Sequence, residues 1–106
     1  MHSGPDAMLE FTLFPAEGQS AVSTVDWAVA REFISATLRI PGRDNWDCRI
    51  LLKKEPLELG SRYIRGILLL SPREALPNLL ASRSVDIWMG NSVGEGSVRP
   101  ARPDPT

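Results

Sequence analysis

The strongest constraint in this chain is a side-chain pattern of period two that belongs to extended structure. In MLEFTLF, residues 8–14, Leu9, Phe11 and Leu13 fall on one face of an extended backbone and Glu10 and Thr12 on the other, as in a half-buried strand. Strand-like runs return at 33–40 (FISATLRI), 46–52 (WDCRILL), 62–70 (RYIRGILLL), 84–89 (SVDIWM) and 92–98 (SVGEGSV). PGRDN between the second and third suits a hairpin, and Gly90 and Asn91 turn the chain between the last two. Six short strands in 106 residues imply an all-β fold with one core.

Two segments depart from this pattern. In SPREALPNLL, residues 71–80, Ser71 can cap, Pro72 suits a first helical position and Glu74 and Ala75 favour helix, whereas Pro77 removes a rung; a turn or two of α- or 3₁₀-helix is expected. STVDWAVAREF, residues 23–33, fits an irregular strand or one short helix equally well. Residues 1–7 read as a flexible lead. Three prolines in the last seven residues make 100–106 a disordered tail that frays from about Arg99, leaving one domain over 8–99.

Composition narrows function mainly by exclusion. A net charge of -1 provides no molecule-wide attraction to nucleic acid or anionic lipid. The longest apolar run, GILLL at 66–70, is far below the roughly 20 residues of a membrane span, and MHSGPDA has no signal-peptide character, so a cytoplasmic protein without membrane contact is expected. The lone Cys48 has no disulfide partner and reads as a small core side chain rather than a reactive thiol. His2, the only histidine, sits in the lead, which excludes a Ser-His-Asp or Cys-His pair on the body; one cysteine and one histidine cannot build a zinc site. Glu55 and Glu58 in KKEPLELG read as solvated loop acids rather than a catalytic pair. No catalytic residue, metal or cofactor is expected, and the chain reads as a non-enzyme.

The order of elements, with FPAEG at 14–18, LLLSP at 68–72 and SVGEGSV at 92–98, resembles the C-terminal β-barrel domain of elongation factor Tu and related translational GTPases over about residues 8–99. That resemblance implies a six-stranded antiparallel barrel, closed or nearly closed, with one short helix. It implies no nucleotide site, because the chain has no Gly-x-x-x-x-Gly-Lys-Ser/Thr. REFISATL stands where the family has Gly-Tyr-Arg-Pro, and EGQS replaces its Gly-Gly-Arg loop, so transfer-RNA binding does not carry over. Gly94 and Gly96 lie on one strand face, with no lysine and no helix after them; they read as a barrel corner rather than a phosphate cradle.

Two surfaces stand out. If Val85, Ile87 and Met89 face inward, Trp88 faces outward. The resemblance places Tyr63, Ile67 and Leu69 inside and leaves Ile64 and Leu68 outside. Ile64, Leu68 and Trp88 would then form one apolar wall, either a docking surface for a protein partner or a second copy, or the seat of a loop carrying Trp27. The second surface is the hairpin with Arg39, Arg43, Arg49, Lys53 and Lys54 around Trp46, set against Asp44 and Asp47. It suits single-stranded RNA or, more simply, a charged edge that discourages strand pairing. The leading expectation is therefore a non-catalytic protein-interaction module, and the alternative an RNA-associated accessory protein of translation.

Overall fold

The structure, a computed structural model, describes residues 4–14, 24–25, 32–52, 55, 57–90 and 92–101. In chain order the elements are β1 (Ala7–Leu13), β2 (Thr24–Val25), β3 (Phe33–Arg39), β4 (Asn45–Leu51), β5 (Leu57–Glu58), β6 (Arg62–Leu69), α1 (Pro72–Ala81), β7 (Val85–Trp88) and β8 (Ser92–Pro100). Six of them close into an antiparallel barrel in the ring order β1-β6-β4-β3-β7-β8, while β2 and β5 pair separately.

The alternation seen in the sequence is what closes this barrel. Leu9, Phe11 and Leu13 of β1, Ile34, Ala36 and Leu38 of β3, Cys48 and Ile50 of β4, Ile67 and Leu69 of β6, Val85 and Ile87 of β7 and Val98 of β8 all bury into one cluster. Helix α1 adds Ala75 and Leu79 to it. The ring is not uniformly zipped. Ladders run the length of β1 against β8 and of β3 against β4, but β4 meets β6 only over Cys48–Ile50, and β3 meets β7 only over Thr37–Arg39.

Gly94 and Gly96 lie where β8 presses on β1. A methyl group on Gly94 would come 2.5 Å from the Thr12 carbonyl oxygen and 3.0 Å from a Leu13 methyl, and one on Gly96 would meet the Glu10 carbonyl and Phe11. Their register partners are Leu13 and Phe11, whose buried side chains fill the space that β8 leaves empty. Close approach, not a glycine-only φ, is the reason for both, since the positive-φ glycines among the described residues are Gly42, Gly60 and Gly90.

The sequence reading needs correction at four points. The helix is a full ten residues with Pro77 inside it; the proline forfeits one rung, to the carbonyl of Arg73, and both residues are exposed, so water can take its place. The β2–β5 ladder was not foreseen, because two-residue strands carry no periodicity. The lead is held from Pro5 onward: Pro5 closes on Gly66, the Asp6 amide donates to the Ile67 carbonyl at 2.9 Å, the Asp6 carboxylate accepts the Leu69 amide at 2.8 Å, and Ala7 is a buried strand residue. At the other end Arg99 and Pro100 extend β8 opposite Met8 and Ala7. Residues 1–3 and 102–106 of the expected lead and tail lie outside the described residues.

Candidate interaction surface

Strand register places each candidate residue on one side of the barrel wall. On β6, Ile67 and Leu69 face the core, so Ile64, Gly66 and Leu68 face out; Ile64 is 47% exposed and Leu68 half-buried. On β7, Val85 and Ile87 face in and Trp88 faces out. The two outward sets do not share a wall. Strands β6 and β7 are three places apart in a ring of six, so Ile64 and Leu68 lie on the side opposite Trp88. Trp27 lies outside the described residues.

Other residues complete the wall around Ile64 and Leu68. Leu68 pairs with Arg49 on β4, and the next outward residue of β4, Leu51, pairs with Phe33 at the start of β3. Phe33 is 39% exposed, with the Arg49 guanidinium 4.8 Å above its ring. On the β1 side, Met8 pairs with Gly66 and Glu10 with Ile64. The result is an apolar band of Phe33, Leu51, Leu68, Ile64 and Met8 across four neighbouring strands. Phe33 and Leu51 could have been found from the sequence, since strand parity puts them on the outer face; what was missing was the knowledge that β6 adjoins β4 rather than β7.

Cations frame this band. Arg49 stands at its β3–β4 edge, and Arg62, three-quarters exposed, donates to Glu10 at 3.0 Å at its β1 edge. Glu10 also pairs with Arg99, so one carboxylate ties β8, β1 and β6 together across the outer surface. Below the band the β4–β6 connection is clasped to the barrel. Arg65 reaches Glu55 at 2.9 Å and lies over the Tyr63 ring at 5.1 Å, and the Tyr63 hydroxyl accepts the Glu58 amide at 2.8 Å. Glu55 is thus an ion-pair partner.

Among the described residues the arginines of the basic hairpin do not all share one groove: Arg39 and Arg43 line a hollow of about 160 Å³ with Asp86 among its walls, and Arg49 is not part of it. Arg39 and Arg49 face outward, but between them Asp47 accepts a 2.8 Å hydrogen bond from the Thr37 hydroxyl, and Asp86 is the register partner of Arg39. The Arg39 guanidinium sits 4.5 Å above the Trp88 ring. Trp46 shares the inward parity of Cys48 and Ile50 and packs half-buried against the core. Its indole N–H is buried with no acceptor among the described residues. The pleat keeps it off the outer face that carries Arg39 and Arg49, so it cannot stack on a base held there. Arg43 is exposed in the hairpin turn, where with Ile40, Asp44, Trp46 and Asn78 it lines a hollow of about 310 Å³; Lys53 and Lys54 lie outside the described residues.

Cys48 is 4% exposed, and burial, reinforced by the neighbouring Asp47 charge, pushes its thiol from 9.0 up to about 12. Its thiol is protonated at neutral pH and walled off. His2 lies outside the described residues, and among those described no cluster of three metal-ligating side chains occurs. No described helix is long and apolar enough to cross a membrane. Comparisons with protein-family models, with characterised proteins and with solved structures find no match to this chain.

Proposed function

We propose that the chain is a non-catalytic docking module, whose barrel presents the β6 wall to another protein. The observation that carries this reading is the continuity of Phe33, Leu51, Leu68, Ile64 and Met8 over four strands on the outer face, where single apolar residues would need no explanation but a contiguous band does. Arg49 and Arg62 at its edges favour a partner with an apolar centre and acidic groups at the rim. A relationship to translation factors rests on the sequence motifs alone, and an RNA-binding role is weakened by Trp46 facing inward and by Asp47 dividing the arginines.

The test is Ile64→Lys compared with wild type in capture from native lysate, at low and high salt. Ile64 is half in solvent, so the barrel should keep its stability while docking weakens by about 2 kcal/mol, as for a central apolar anchor. Wild-type capture should survive high salt, since an apolar contact does not depend on counterion release. Capture that vanishes with salt and ignores Ile64→Lys would overturn the proposal in favour of nucleic acid. Concentration-dependent dimerisation abolished by Ile64→Lys would make the partner a second copy.

A further inference from the structure

The docking band is crossed at its middle by the chain's own N-terminal segment, whose Pro5 ring continues the apolar surface over Gly66 between Ile64 and Leu68. The Asp6 amide and carboxylate both engage β6, at the Ile67 carbonyl and the Leu69 amide, and so anchor the segment at the edge of the band. Just before this anchor, Pro5 leaves the β1 path and folds over the outer face of β6 at Gly66. A methyl group placed on Gly66 would lie 2.8 Å from the Pro5 Cβ, 3.0 Å from its Cγ and 3.4 Å from a Leu51 methyl, so the proline ring and the leucine both close on the glycine. Gly66 stands between Ile64 and Leu68 on the same face, and the absence of a side chain there makes the seat for the ring. Among the described residues two hydrogen bonds from Asp6 and one proline ring hold the segment, against the full ladder that holds β1.

We infer that residues Gly4–Asp6 form a strap that covers the docking band in cis, and that a partner must displace it. The inference rests on the docking function proposed above. Physically it is a competition: if the strap is seated nine-tenths of the time, only the remaining fraction of molecules is competent, and apparent docking is weakened about tenfold. Gly66 serves this competition, because any larger residue would keep the strap from closing.

Two variants open the strap from opposite sides: Pro5→Gly removes the ring, and Gly66→Ala fills its seat. Each is combined with Leu51→Cys, which puts a thiol beside the Gly66 seat of the ring, and labelling by a water-soluble maleimide is followed under native conditions. Cys48 is a silent background, being buried with its thiol raised to about 12. Both variants should raise the Leu51→Cys labelling rate about tenfold, and in the chain without Leu51→Cys both should strengthen partner capture by a similar factor. Unchanged labelling would overturn the inference, since the strap would then cover nothing. Faster labelling with unchanged capture, in a protein whose capture is lost with Ile64→Lys, would also overturn it while leaving the docking function standing. Capture insensitive to Ile64→Lys would remove the docking function and the strap's role together.

Discussion

A methyl group is enough to disturb this barrel at Gly94. Its Cβ would be 2.5 Å from a backbone carbonyl, an atom that cannot swing away as a side-chain end can, so β8 or β1 must move. Gly94→Ala should therefore destabilise by about 2 kcal/mol, within the range for overpacked cores, and thermal unfolding of the variant checks it. A melting temperature within a degree of wild type would contradict the close-approach explanation. Cys48 gives a second residue-scale expectation. Its folded thiol holds its proton up to about 12, whereas in the unfolded chain the value is the ordinary 9.0, so between these values the native state binds more protons than the unfolded state. Stability from this group is complete below pH 9 and is lost as pH rises toward 12. Urea unfolding at pH 8 and pH 10.5 should show the decline in wild type and a smaller one in Cys48→Ala.

Among the elements, the short contact between β3 and β7 is braced on the outside by Arg39 lying over Trp88. Trp88→Ala should lower stability by about 1 kcal/mol, the order of a partly desolvated cation–π contact, and leave docking intact because β7 is across the barrel from β6. Chemical denaturation and capture, run on the same preparation, check both halves. The barrel strands were legible because alternation turns an apolar row inward, which fixes the facing of Leu9 from the sequence alone; the facing of Ile67 came from the family resemblance. What was not legible is which strands adjoin. The resemblance placed Ile64 outside and parity placed Trp88 there, but their separation depends on long-range pairing of β6 with β4, a ladder covering only Cys48–Ile50. Trp46 was misassigned for a related reason: its position among arginines in the sequence suggested a shared face, whereas the pleat puts neighbours on opposite sides. Pro5 gave no signal at all, because nothing local announces that a segment will cross a strand sixty residues away.

For the molecule as a whole, the ring closes with no strand left at an outer edge among the described barrel strands, although the β4–β6 and β3–β7 seams are short, so the outer walls differ in what they can offer a partner. The β1–β8 side is polar, with Glu10 shared by Arg62 and Arg99; the β3–β7 side carries Arg39 on Trp88 beside Asp86; the β6–β4 side carries the apolar band and the strap. The central claim is that macromolecular contact is made through that last wall. Site-specific photo-crosslinking tests it most directly, with a benzophenone side chain at position 64 or at position 88 of the full chain in native lysate. A discrete protein adduct from position 64, absent from position 88 and suppressed by excess unlabelled wild type but not by Ile64→Lys, is the expected result. An adduct from position 88 alone, or crosslinks to nucleic acid in place of protein, would contradict it.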